Sequence, residues 1–130
     1  SGRLSVSDVP EAWRAKMEEL VGVTPPDDAR GCLQDIHWSE GIFGYFPTYA
    51  LGNLYAAQFF QQARRELPDL PDQIRRGRFR PLLDWLRQRI HRHGQGYRAG
   101  ELVAQVTGRP LSSAAFTAYL EEKFKRLYEL

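Results

Sequence analysis

The residue types best suited to chemistry are concentrated in Gly31-Cys32-Leu33-Gln34-Asp35-Ile36-His37-Trp38 and in the run from Gly41 to Gly52 behind it. There an amide, a carboxylate, an imidazole, an indole and the phenols of Tyr45 and Tyr49 gather among glycines, around a helix-opening proline, Pro47. Polar and aromatic loops carried on a rigid scaffold are where sites are built. Several chemistries are open to such a set. Asp35 and His37, with Cys32 or Glu40 nearby, could meet a metal, but neither His-Glu-x-x-His nor another standard zinc spacing occurs. His91-x-His93 is no better, because residues two apart on a helix point away from each other. Cys32 near His37 could form a thiol nucleophile, although a lone cysteine between Gly and Leu more often serves as a small buried hydrophobe. Electrophilic and substrate-holding work is the third option. A histidine and a tyrosine hydroxyl can donate hydrogen bonds to an oxyanion, and Asp35 could fix a histidine tautomer. A purely structural loop with satisfied polar groups stands beside all three.

The elements that must position these residues read as helical nearly throughout. Asp8 is placed to cap a first helix, with Pro10 in its first turn and Glu11 at the capping-box position. Trp13, Met17, Leu20 and Val21 follow at helical spacing, and Gly22 is a natural stop. Thr24-Pro25-Pro26-Asp27-Asp28 reads as a turn, and residues 31–47 as irregular chain with room for a helical turn and an extended piece. Pro47 opens a long helix to about Leu67, with Ala56, Phe59, Phe60, Ala63 and Leu67 as its inward stripe. Pro68 and Pro71 break the chain. A third helix is expected from Pro81 to Arg92, with Phe79, Leu82, Leu83, Leu86 and Ile90 on one side, ended by Gly94 and Gly96. A short helix spans Glu101 to Val106. Ser112 or Ser113 caps a last one, striped by Phe116, Tyr119, Leu120, Phe124, Leu127 and Tyr128. No segment keeps a two-residue alternation, so the fold class is all-α, in a single region over 1–130. Such stripes dictate packing and say nothing of chemistry.

The totals narrow the partners. At 130 residues the chain suits one domain, and its 26% charged share argues against a disordered tail. Net charge is only +2, yet Arg75 to Arg98 holds eight arginines, two histidines and a single acid, Asp84. The plain reading of that stretch is a solvated helix face. The alternative is a binding module that offers the Arg75–Arg98 face to nucleic acid or another anionic partner, although no nucleic-acid-binding motif accompanies it. One cysteine allows no internal disulfide, and no apolar run approaches the ~20 residues of a membrane span. Ser1-Gly2-Arg3 leads into no apolar signal core, and a start without Met is expected of an excised piece. The expected compartment is the cytoplasm.

The loop motif also carries a resemblance. Gly31-Cys-Leu-Gln34-Asp35-Ile-His37-Trp38 matches the Gly-x-x-Gln-Asp-x-His-Trp motif of the carboxypeptidase Taq family of zinc carboxypeptidases. Ser39 through Gly52 continues in the same style. Asp8-Val9-Pro10-Glu11-Ala12-Trp13, Glu101-Leu102-Val103, Thr107 through Leu111 and Phe116 through Phe124 resemble the family as well. The resemblance implies the helical C-terminal segment of a larger all-helical metallopeptidase, usually a homodimer, that removes C-terminal amino acids from peptides with broad specificity. It implies that zinc, or another divalent metal, is held by a His-Glu-x-x-His helix and a downstream Glu, in a missing N-terminal part, so that this chain binds none. It implies catalytic roles for His37 and Tyr45 as transition-state hydrogen-bond donors. Gln34, Asp35, Trp38, Tyr49 and Arg98 would shape the groove or hold substrate, an Arg being suited to a terminal carboxylate. Cut loose from its partner helices, the segment is expected to expose Ile42, Phe43, Tyr45, Phe46 and Tyr49 and to self-associate.

Overall fold

The computed structural model describes residues 4–129, so Ser1-Gly2-Arg3 lies outside it. All regular structure among the described residues is helical: α1 (Val9–Val21), α2 (Ile36–Ser39), α3 (Pro47–Glu66), α4 (Leu70–Arg75), α5 (Arg80–Arg89), α6 (Ala99–Thr107) and α7 (Ala114–Tyr128), with short 3₁₀ turns at Val6–Asp8, Cys32–Gln34 and His91–His93. The chain divides into two compact units, one up to Thr48 and one from Tyr49 onward.

In the first unit Pro10 stands in the first turn of α1, where a missing N–H costs nothing. Asp8 is not the expected side-chain cap. Its backbone is already helical, because the preceding 3₁₀ turn runs into α1, and its carboxylate takes no backbone N–H. Gly22 ends the helix as expected, at φ 73° with its N–H on the Glu18 carbonyl. No residue of α1 is fully buried. Arg14 ties the helix to the following loop through Asp28 at 2.7 Å. That loop folds back on itself. Leu33 N and Gly31 N both donate to the Asp28 carbonyl, and Pro25, Gly31 and Cys32 are buried.

The second unit has a conventional core. Ala63, Leu70, Trp85 and Val106 are buried together, with Phe59, Leu67, Ile74, Leu82, Leu86, Ile90 and Leu102 packed around them. The proline pair does more than break the chain. Asp69-Leu70-Pro71 starts α4, with Pro71 in its first turn and Leu70 driven into the core. α5 stops at Arg89 and tightens into the His91–His93 turn, short of the expected Arg92 end. Two members of its predicted stripe, Phe79 and Leu83, are exposed, while Trp85, outside that stripe, is buried. On α3 Ala56 and Phe60 are exposed instead of inward. Most of the α7 stripe is also exposed: Tyr119, Phe124, Leu127 and Tyr128 all face outward.

Two polar residues lock this core. Gln58, 1% exposed, donates from Nε2 to Thr107 Oγ1 at 3.0 Å and to the Pro110 carbonyl at 3.1 Å, and accepts from Ser112 N at 3.0 Å. It thereby fastens the turn after α6 to α3. Glu66 closes the other end of α3. Its carboxylate accepts from Gln62, from the buried Trp85 indole at 2.8 Å and from Arg89 at 2.9 Å. These hydrogen bonds, that of Gln62 foremost, hold the Glu66 carboxyl below its ordinary range despite partial burial.

Candidate functional site

The loop between α1 and α3 owes its shape to its glycines. Gly31 has no room for a side chain: a Cβ there would stand 3.0 Å from the Asp27 carbonyl oxygen and 3.4 Å from Pro25 Cβ. Gly41 and Gly44 adopt φ of 73° and 79°, which only glycine enters freely. With those turns available, Ile42 N donates back to the His37 carbonyl at 2.8 Å, and the chain doubles over α2. Phe43, Tyr45 and Phe46 are thereby brought beside residues five to nine positions earlier.

Asp35 is the pivot. Its Oδ1 accepts from His37 N at 3.0 Å, capping α2, and lies 2.6 Å from His37 Nδ1. An ionised carboxylate offers only lone pairs, so this contact places the ring proton on Nδ1 and turns Nε2 to the opposite side. Both side chains are mostly shielded. The His37 ring is bracketed by Tyr45, 5.0 Å away and tilted by 37°, and by Phe46, edge-on at 5.8 Å. Aromatic rings packed beside an imidazole steady its orientation. Chemically, this is a histidine with one nitrogen committed and its ring fixed. With a proton on Nε2 as well, the ring becomes a charged donor whose charge Asp35 offsets.

The expected site residues therefore separate. Asp35, His37 and Tyr45 come together. Trp38 turns to Phe43 and stacks on it at 5.1 Å. Gln34 Nε2 donates to the Ala29 carbonyl, so its amide shapes the loop. Tyr49 and Arg98 belong to the second unit. Tyr49 is exposed in the first turns of α3. Arg98 precedes α6, with its backbone N–H on the Glu101 carboxylate at 2.9 Å, and is exposed. Phe46 is the residue that sequence reasoning did not assign to the histidine. The available signal is the pair of glycines at 41 and 44, whereas residues 31–47 read only as irregular chain with room for a helical turn and an extended piece. Cys32 is buried, which suits a small hydrophobe better than a nucleophile.

Among the described residues no three His, Cys, Asp or Glu side chains converge to hold a metal ion. Five of the eight arginines of the Arg75–Arg98 stretch share three carboxylates: Arg75 and Arg76 pair with Asp72, Arg80 and Arg87 with Asp84, and Arg89 with Glu66. No helix among the described residues is long and apolar enough to cross a membrane.

Comparison with known proteins bears on the whole chain. The sequence profile of the carboxypeptidase Taq (M32) metallopeptidases matches residues 1–124. Thermostable carboxypeptidase 1 of Thermus thermophilus is 54% identical over 127 residues, covering 98% of this chain and 25% of its own length. Carboxypeptidase 1 of Bacillus subtilis is 41% identical over 130 residues, covering 100% and 26%. The crystal structure of the M32 carboxypeptidase from Deinococcus radiodurans R1 superposes with a TM-score of 0.91 at 38% identity, over 99% of this chain and 26% of that one. The chain thus spans about a quarter of the length of the relatives it matches.

Proposed function

The chain belongs to the carboxypeptidase Taq (M32) metallopeptidase family, and from that premise we propose that it is the C-terminal portion of a metallocarboxypeptidase that removes C-terminal amino acids from peptides with broad specificity. A peptide substrate follows from the activity named in its relatives. The metal, zinc by resemblance, sits in the N-terminal part of the longer protein, which we take to be a cytoplasmic homodimer.

In this reading the chain contributes groove and transition-state residues. The observation that carries it is the Asp35–His37 contact at 2.6 Å with Tyr45 against the ring, inside the motif that resembles the family's own. Asp35 fixes the ring. His37, protonated on both nitrogens, and the Tyr45 hydroxyl donate to the oxyanion that develops as the peptide carbonyl becomes tetrahedral. Gln34 and Trp38 hold the loop in shape, and Tyr49 and Arg98 contact substrate, the guanidinium being suited to a terminal carboxylate.

The test is kinetic and uses the longer protein. Tyr45→Phe removes one donor and keeps the ring, so kcat should fall by roughly 10²–10³ with KM nearly unchanged. A variant within about twofold of wild type in kcat removes Tyr45 from catalysis. This chain alone, with or without zinc, should release no C-terminal residue.

A further inference from the structure

The loop that holds His37 also holds an aromatic ring in the open beside it. Phe46 meets the imidazole edge-on, with ring centroids 5.8 Å apart, and is 61% exposed. Its backbone is fixed from both sides. Gly44 turns the chain before it at φ 79°, and Pro47, which opens α3, restricts the backbone of the residue it follows. Thr48 N and Thr48 Oγ1 both donate to the Tyr45 carbonyl, at 2.9 Å and 2.7 Å, so Phe46 and Pro47 are spanned by a closed turn. The ring stands on a rigid corner.

A single apolar side chain in water is ordinary, but this one lies against an imidazole whose Nδ1 Asp35 already engages at 2.6 Å. Phe43, also exposed, stacks on Trp38 and so shapes the loop. Tyr45 braces the imidazole at 5.0 Å, so Phe46 adds apolar surface at its edge more than it adds support. Substrate geometry says what that surface meets. An oxyanion held by Nε2 lies about 3 Å from it. The carbon that bears this oxyanion belongs to the penultimate residue of the peptide. That residue's own Cβ is two bonds from the carbon, whereas the Cβ of the released residue is three bonds away, across the scissile nitrogen. The penultimate side chain is therefore the one brought nearest the ring beside His37.

We propose that Phe46 is a specificity-determining residue that selects a large apolar side chain, such as Leu or Phe, at the penultimate position of the peptide substrate. Contact removes apolar surface of both partners from water, and a penultimate glycine gains nothing from it. Because the corner is already rigid, little ordering of Phe46 is spent on the contact. The proposal rests on the reading that His37 donates to the oxyanion, and it names the substrate class which that reading leaves open. Broad tolerance of the released residue is compatible with it, since Phe46 acts on the other side of the scissile bond.

The test measures kcat/KM of the longer protein, loaded with its metal, on two series of N-blocked tripeptides. One keeps a C-terminal alanine and varies the penultimate residue among glycine, alanine, leucine and phenylalanine. The other keeps a penultimate alanine and varies the C-terminal residue in the same way. In the first series wild type should favour leucine over glycine by about tenfold or more. Phe46→Ala should shrink that ratio to about twofold and Phe46→Leu should keep most of it, both with unchanged circular dichroism and an unchanged second series. The ratio is the readout because any loosening of His37 slows every substrate alike and cancels. A wild type without the preference overturns the proposal. So does a Phe46→Ala ratio equal to that of wild type, or a change confined to the second series, which would seat the ring at the released residue. Tyr45→Phe on the same peptides separates the proposal from its premise. A Tyr45→Phe variant with the kcat of wild type sinks the oxyanion reading and this assignment with it, whereas a slow Tyr45→Phe beside an unchanged Phe46→Ala ratio sinks this assignment alone.

Discussion

Replacing Gln58 by Glu changes one atom from donor to acceptor without changing the shape of the side chain. In the native protein that atom, Nε2, faces Thr107 Oγ1 at 3.0 Å, the Pro110 carbonyl at 3.1 Å and the Arg109 carbonyl at 3.4 Å. The Thr107 hydroxyl already donates to the Val103 carbonyl at 2.7 Å, so it has no second proton to give. An ionised carboxylate at position 58 would confront three oxygens with only Ser112 N as a donor. The introduced group will therefore fold protonated. From a reference Glu pKa of about 4.3, keeping that proton at pH 7 costs at most about 2.7 units at about 1.36 kcal/mol each, or about 3.7 kcal/mol. One N–H is also lost for good, at about 1 kcal/mol. Gln58→Glu should thus be less stable than wild type by about 4–5 kcal/mol at pH 7 and by about 1 kcal/mol near pH 4. The sign follows from the pKa being higher folded than unfolded: the native state binds the extra proton, so acid favours folding. The deficit should shrink by about 1.4 kcal/mol per pH unit as pH falls towards 4.3. Urea unfolding followed by circular dichroism, with wild type measured at every pH, isolates the difference. A deficit that is flat with pH, or below about 1 kcal/mol at pH 7, would refute the clamp.

Glu66 should show the opposite pH dependence. Its carboxyl is held below its ordinary range in the folded state, so its stabilisation is complete above about pH 4.5 and lost as pH falls further. Glu66→Ala strands the buried Trp85 N–H and should lower stability by about 1–3 kcal/mol at neutral pH, with acid unfolding curves converging on wild type. Gly31→Ala forces a methyl against the Asp27 carbonyl and should cost about 1–3 kcal/mol, read from a urea midpoint. In the longer protein Asp35→Asn should lower kcat by about 10–100-fold and alter the pH profile of kcat, whereas a merely structural effect would leave that profile in place.

The helices were legible because their signals are local. Gly22 stops α1 and Pro47 opens α3 as the chain alone dictates. What was not legible depends on neighbours far along the chain. Trp85 is no member of the stripe read from Leu82 and Leu86, yet it is buried with Ala63, Leu70 and Val106, and Glu66, nineteen residues earlier, accepts its N–H. The 3₁₀ turn that pre-empts the Asp8 cap has no strong sequence signature. In the loop, the Asp35–His37 pairing could be anticipated from residues two apart. The turn of Trp38 towards Phe43 and of Phe46 towards His37 could not, because it depends on how Gly41 and Gly44 fold the chain.

One oxygen atom, Asp35 Oδ1, answers both the backbone of α2 and the imidazole of His37. Any drift at this position is therefore judged twice. Glu would carry the carboxylate about one bond too far for the cap, Asn would present the ring with an acceptor only in one of its two flips, and Ser would cap without reaching Nδ1. Each single exchange that preserves the helix disturbs the histidine, and the reverse holds as well. No single exchange at position 35 keeps both contacts together with the negative charge beside the ring.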